Sequence, residues 1–129
     1  MSLCSIPVSI GELWDKYTIL NIKKRKIKSE ERLACVNKEI DALKPYIEKY
    51  PLETRLINEL TEINTSLWNL EDHIRELDNK NIFNEEFIKV SRSIYYSNDK
   101  RHEVKNKIDL FHNSYIVEVK SYKEHKATQ

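Results

Sequence analysis

An all-α fold, an antiparallel bundle of about four helices, is predicted by three features of this sequence. The chain of 129 residues contains one glycine and three prolines, whereas a sheet protein of that length needs many turns built on Gly, Pro and Asn-Gly pairs. Apolar residues recur three and four apart along most of the chain, which is the period of a helix with a buried face. Helix-capping residues stand where these patterns begin, at Ser9, Ser29 and Asn84.

The elements follow in order. Ser9-Ile10-Gly11-Glu12 reads as a capping box, with Ser9 accepting from the third helical amide and Glu12 reaching back. The first helix runs to about Lys28 and is apolar on most sides (Leu13, Trp14, Tyr17, Ile19, Leu20, Ile22, Ile27), as expected of a helix central to its bundle. Ser29 caps the second helix, with Glu30 and Glu31 near its positive end. That helix carries Leu33, Val36, Ile40, Leu43 and Ile47, and Pro45 is expected to kink or interrupt it before the turn Lys49-Tyr50-Pro51. The third helix has the most regular spacing, Leu56, Leu60, Ile63, Leu67, Leu70, Ile74 and Leu77, and is expected to form a coiled-coil-like hairpin with the second. Asp78 to Asn81 ends it, and Asn84 caps a fourth helix starting at Glu85. Beyond Asn113-Ser114, Tyr115 to Tyr122 suggests a short extended arm, and Lys123 onward a polar tail. The expectation is one domain over 1–129 with a structured core from 8 to 122.

Composition narrows the function classes. With 22 basic and 21 acidic residues the net charge is +1, so no global field attracts nucleic acid, and the short basic run Lys23 to Lys28 reads as a solvated helix face. No apolar run reaches the roughly 20 residues of a membrane span, and Met1 to Ile6 lacks the basic start and apolar stretch of a signal peptide. Cys4 and Cys35 have no CxxC spacing and read as reduced thiols of a cytoplasmic chain. The four histidines form no zinc-binding pattern, and no cofactor is evident.

The fourth helix breaks its own pattern. Its inward stripe begins with Phe87, Val90 and Ile94 but continues as Asn98, Arg101 and Lys105 before Ile108. Buried cations require carboxylates, a bound anion or water, because leaving them unpaired is costly. The third helix offers a second stripe, Asn64, Trp68, Glu71 and Arg75, with Asp72 beside it. The first helix adds Glu12, Lys16 and Lys23, with Asp15 close by. Three mixed-charge stripes meeting at one core edge suggest a pocket inside a bundle. Its candidate ligand-binding residues are Lys16, Lys23, Trp68, Glu71, Arg75, Tyr95, Asn98, Arg101 and Lys105. Several of the positions around it have a plainer reading. Glu12 is also a cap, Glu71 and Arg75 form an i,i+4 pair of a kind that decorates helices, Trp68 suits packing, His102 suits an exposed or satisfied core position, and Asn98-Asp99 can end one helix and cap another.

Several motifs together carry a family resemblance. Gly11-Glu12-Leu13, Asp15-Lys16, Thr18-Ile19-Leu20 and Ile22-Lys23 open the chain, and Leu67-Trp68, Glu71-Asp72 and Ile74-Arg75-Glu76 follow. Then come Phe87-Ile88, Arg92-Ser93, Tyr95, Asn98-Asp99, Arg101 and Lys105, and the end Val117-Glu118-Val119-Lys120-Ser121-Tyr122. Over Val8 to Tyr122 the chain resembles an uncharacterised bacterial domain-of-unknown-function family. Asp109 and Val119 depart from that family's pattern, where Asn and Glu are commoner. The resemblance implies a link to surface-polysaccharide assembly, and places Glu118, Lys120 and Tyr122 at the site if the arm covers it.

Three functions are compatible with these residues. The first is a module binding a small phosphorylated ligand, a sugar phosphate or nucleotide sugar, through the cations and an aromatic ring. The second is a Mg2+-dependent enzyme holding its metal on Glu12, Asp15, Glu71 and Asp72. The third is a docking protein, or a homodimer closed through the helical hairpin.

Overall fold

The computed structural model describes residues 1–124. Its helices are α1 (Ile10–Lys26), α2 (Glu30–Lys49), α3 (Thr54–Asn79) and α4 (Glu85–Phe111). The expected caps are present: Ser9, Ser29 and Asn84 accept from the backbone amides of Glu12, Arg32 and Phe87. Only half of the capping box forms as expected, because Glu12 directs its carboxylate to Lys105 on α4. α1 ends at Lys26, with Ile27 in extended backbone as its C-cap. α2 continues through Pro45 to Lys49. The proline removes the amide that Asp41 would otherwise receive, and both residues are exposed, which leaves that carbonyl open to solvent.

Both α3 and α4 end on an asparagine in left-handed backbone, Asn81 (φ 56°) and Asn113 (φ 51°). Ile82 N–H bonds to Leu77 O and Asn81 N–H to Asp78 O, and Ser114 and Asn113 repeat the pattern on Asp109 and Leu110. These are Schellman turns, which satisfy the last helical carbonyls. The second turn also matters for the site, since it brings Ser114 to the N-terminus of α1, where its Oγ accepts from Ile10 N–H.

α1 is the hub, packed against all three other helices, while α2 packs on α1 alone. The expected α2–α3 hairpin is therefore corrected: α3 pairs with α4. His73–Glu86 and Lys107–Glu59 contacts give that pair an antiparallel register. Of the α3 seam, Leu56, Leu60, Leu67 and Leu77 are buried while Ile63, Leu70 and Ile74 are half-buried, and Leu56 and Leu60 pack with Trp14 of α1 and with Val104 and Ile108 of α4. Val36 and Ile40 of α2 pack instead around Leu20 of α1. Residues 115–124 form neither helix nor strand and run back along α4 as an arm. Lys123 and Glu124 are exposed, and the rest of the expected tail lies outside the described residues. No helix among those residues is long and apolar enough to cross a membrane.

Candidate functional site

The α1–α4 contact is an antiparallel ladder of polar pairs. Gly11 faces Asp109, Glu12 faces Lys105 and Asp15 faces Arg101. The i,i+3 and i,i+4 spacings on the two helices put each set on one face. The closest approach is at Gly11, where an added Cβ would overlap the Lys105 backbone oxygen and lie 2.9 Å from Asp109 Oδ1. Without that side chain, the Gly11 N–H donates to Asp109 Oδ1 at 2.6 Å.

Asp15 is 1% exposed, and a carboxylate so deeply placed must be paired and hydrogen-bonded. Arg101 supplies a forked contact, Nε to Oδ1 at 2.9 Å and Nη2 to Oδ2. Asn64 of α3 donates to the same Oδ1 at 3.0 Å and to Thr18 Oγ1, so a third helix is tied to the pair. The bond to Asp15 pushes the Arg101 guanidinium above its ordinary range, outweighing the opposing effect of burial.

Lys105 is buried as well, 5% exposed. Its ammonium donates to Glu12 and to Glu118 of the arm, both at 2.7 Å, and sits 3.9 Å from Asp15. Burial alone would lower its pKa, but the contacts with Glu118 and Glu12 together hold it above the ordinary lysine value. Glu118 is lowered in turn by the Lys105 bond. Asp109 moves the other way: burial raises it, against the Gly11 amide, the Ser9 hydroxyl and the Lys105 charge. Its Oδ2 is buried with no hydrogen-bond partner among the described residues.

Above this network a cleft of about 1000 Å³ lies between α4 and the arm. Glu12, Tyr95, Asn98, Arg101, His102 and Lys105 form the helix side, and residues 118–124 the other. An ion pair between Lys120 and Asp99 ties the arm down a second time.

Of the residues singled out by sequence, Tyr95, Asn98, Arg101 and Lys105 thus come together on one wall, and Glu118, Lys120 and Tyr122 line the cleft. Lys16 is exposed and Lys23 half-buried on α1, and neither lines it. Trp68, Glu71 and Arg75 also lie outside it, and Glu71 pairs with Arg75 one turn along α3. Asp72 is exposed. Glu12 and Asp15 face the two cations, and no group of three or more His, Cys, Asp or Glu is arranged to hold a metal ion among the described residues. Sequence reasoning missed Gly11 as a contact point, and missed Asp109. Two signals were available: Gly11 is the chain's single glycine, and Asp109 continues the i,i+4 ridge of Arg101 and Lys105.

The fold and site thus define an all-helical domain whose hub helix is joined to its last helix by buried ion pairs beneath an open cleft. The chain belongs to a family of unknown function, DUF6165, whose model matches residues 4–129. Neither the curated proteins nor the solved structures gave a match.

Proposed function

We propose that this chain is a binding module whose cleft takes a small anionic ligand through a phosphate or carboxylate seated on Lys105 and Arg101. The supporting observation is the way Lys105 is neutralised. Its ammonium is buried, yet one of its two closest carboxylates belongs to Glu118, a side chain 49% exposed on an arm without regular structure. An incoming anion in that place leaves the lysine charge compensated. Arg101 beside it offers a guanidinium, 31% exposed, suited to planar oxyanions. Tyr95 and Tyr122 on the cleft walls suit the faces of a sugar or base, so a sugar phosphate or nucleotide sugar is the ligand class. Within this reading the ligand belongs to surface-polysaccharide assembly, as the motif resemblance implies.

One observation favours a second reading. Arg101, Lys105 and Lys120 each already hold a carboxylate, as a purely structural docking protein, or a homodimer closed through its helices, also requires. Thermal unfolding against sugar phosphates and nucleotide sugars, with and without Mg2+, separates the readings. A ligand at 100 times its Kd adds about 2.7 kcal/mol to the folded state, a rise of several degrees for a domain of this size. The rise is expected to shrink in Tyr95→Ala and Arg101→Lys, which retain a cation opposite Asp15. A rise that appears only with Mg2+ favours metal-dependent chemistry on a phosphorylated substrate. No rise with any ligand favours docking.

A further inference from the structure

We infer that Glu118 is a built-in competitor for the anion position on Lys105, and that ligand binding displaces it and releases the arm from the cleft. This deepens the anion-binding reading and rests on it. Three observations carry it. First, the arm is held at two points: Glu118 and Lys120 reach Lys105 and Asp99, while Tyr115, Ile116, Val117 and Val119 around them are exposed. The arm therefore grips α4 through two ion pairs two residues apart, a spacing that extended backbone provides because alternate side chains share a face.

Second, the two carboxylates on Lys105 differ in how they are held. Both line the cleft, but Glu12 sits on the hub helix, whereas Glu118 is more exposed and is carried by the arm. Exchange of Glu118 needs no change in the helices. Third, the charge at this point already favours exchange over addition. Glu12, Asp15 and Glu118 surround Lys105, with Arg101 as the other cation. A further anion placed beside three carboxylates is repelled, and one that takes the place of Glu118 is not.

A strap of this kind imposes a cost on affinity. If the arm covers the site nine-tenths of the time, the apparent Kd is about tenfold weaker than that of the open site. Removing the Glu118 charge therefore strengthens binding, the reverse of what truncating an ordinary contact residue does.

The experiment measures binding of inorganic phosphate and of a sugar phosphate to the full chain by calorimetry, in wild type, Glu118→Gln and Lys120→Ala. Hydrogen exchange of residues 115–124 is followed with and without ligand. Lys120→Ala loosens the arm without touching Lys105, and unfolding midpoints check that both variants fold. The expected result is binding about tenfold tighter in Glu118→Gln, a smaller gain in Lys120→Ala, and faster exchange of the wild-type arm when ligand is added. Equal or weaker binding in Glu118→Gln overturns the competitor and leaves the anion site standing. Tighter binding without ligand-dependent exchange also overturns it, because the gain is then only lost repulsion. No binding of either probe to any variant, including Glu118→Gln with its site uncovered, overturns the competitor and the anion-binding reading together.

Discussion

At the scale of single residues, the most demanding position is Gly11. Glycine inside a helix is normally about 0.5–1 kcal/mol worse than alanine, so Gly11→Ala in an isolated α1 would be a gain. Here the added methyl meets the Lys105 backbone oxygen, which belongs to a helix and has no freedom to swing away. Overpacking of this kind costs about 1–3 kcal/mol, and Gly11→Ala is expected to lower the denaturant midpoint by a corresponding amount. A midpoint equal to or above that of wild type would show that α1 and α4 do not approach as described. Arg101 and Lys105 were legible in the sequence because cations interrupting an apolar stripe must find partners. Asp109 was less legible, since Ile108 beside it restores the apolar stripe and masks a carboxylate one position on. The role of Gly11 depends on a neighbour nearly a hundred residues away, which no local pattern reports.

At the scale of elements, α2 differs from the rest. Its backbone approaches only that of α1, its buried residues are Val36 and Ile40, and it contains Pro45. An element with few buried contacts opens locally at lower free energy than the core. Amide hydrogen exchange is therefore expected to be faster in α2 than in α1, α3 or α4, with the slowest amides around Leu60 and Ile108, both fully buried. Protection of α2 equal to that of α3 would contradict this hierarchy. The helix starts were readable because Ser9, Ser29 and Asn84 carry local chemistry that the backbone uses directly. The partner of α3 was not. A run of leucines three and four apart states that one face is buried, and says nothing of which helix buries it. The polar stripe of Trp68, Glu71 and Arg75 illustrates the same limit: correct helical spacing, but on a part of α3 that does not face the cleft.

At the scale of the whole molecule, two carboxylates link stability to pH with opposite signs. Glu118 is lowered by Lys105, so its contribution is present above the ordinary glutamate pKa and is lost as pH falls through its depressed value. Asp109 is raised by burial, so its protonated form favours the fold, and that contribution fades as pH rises through its raised value. Asp109→Asn keeps an acceptor for Gly11 and removes the ionisation. It is expected to unfold at higher denaturant concentration than wild type near neutral pH, with the gap closing as pH falls below the raised value. A gap that widens in acid would reverse the assignment. Once Glu118 takes up its proton in more acid solution, the arm's amides are expected to lose protection relative to their intrinsic exchange rate at the same pH.

The polar ladder between α1 and α4 has a consequence for biosynthesis. Asp15 and Arg101 are 86 residues apart, so at about 5–20 residues per second the ribosome delivers the guanidinium roughly 4–17 s after the carboxylate. Until then, α1 packed in its final place would hold a desolvated anion without a counterion. The N-terminal helix is therefore expected to take its final place only once the last helix has emerged to meet it.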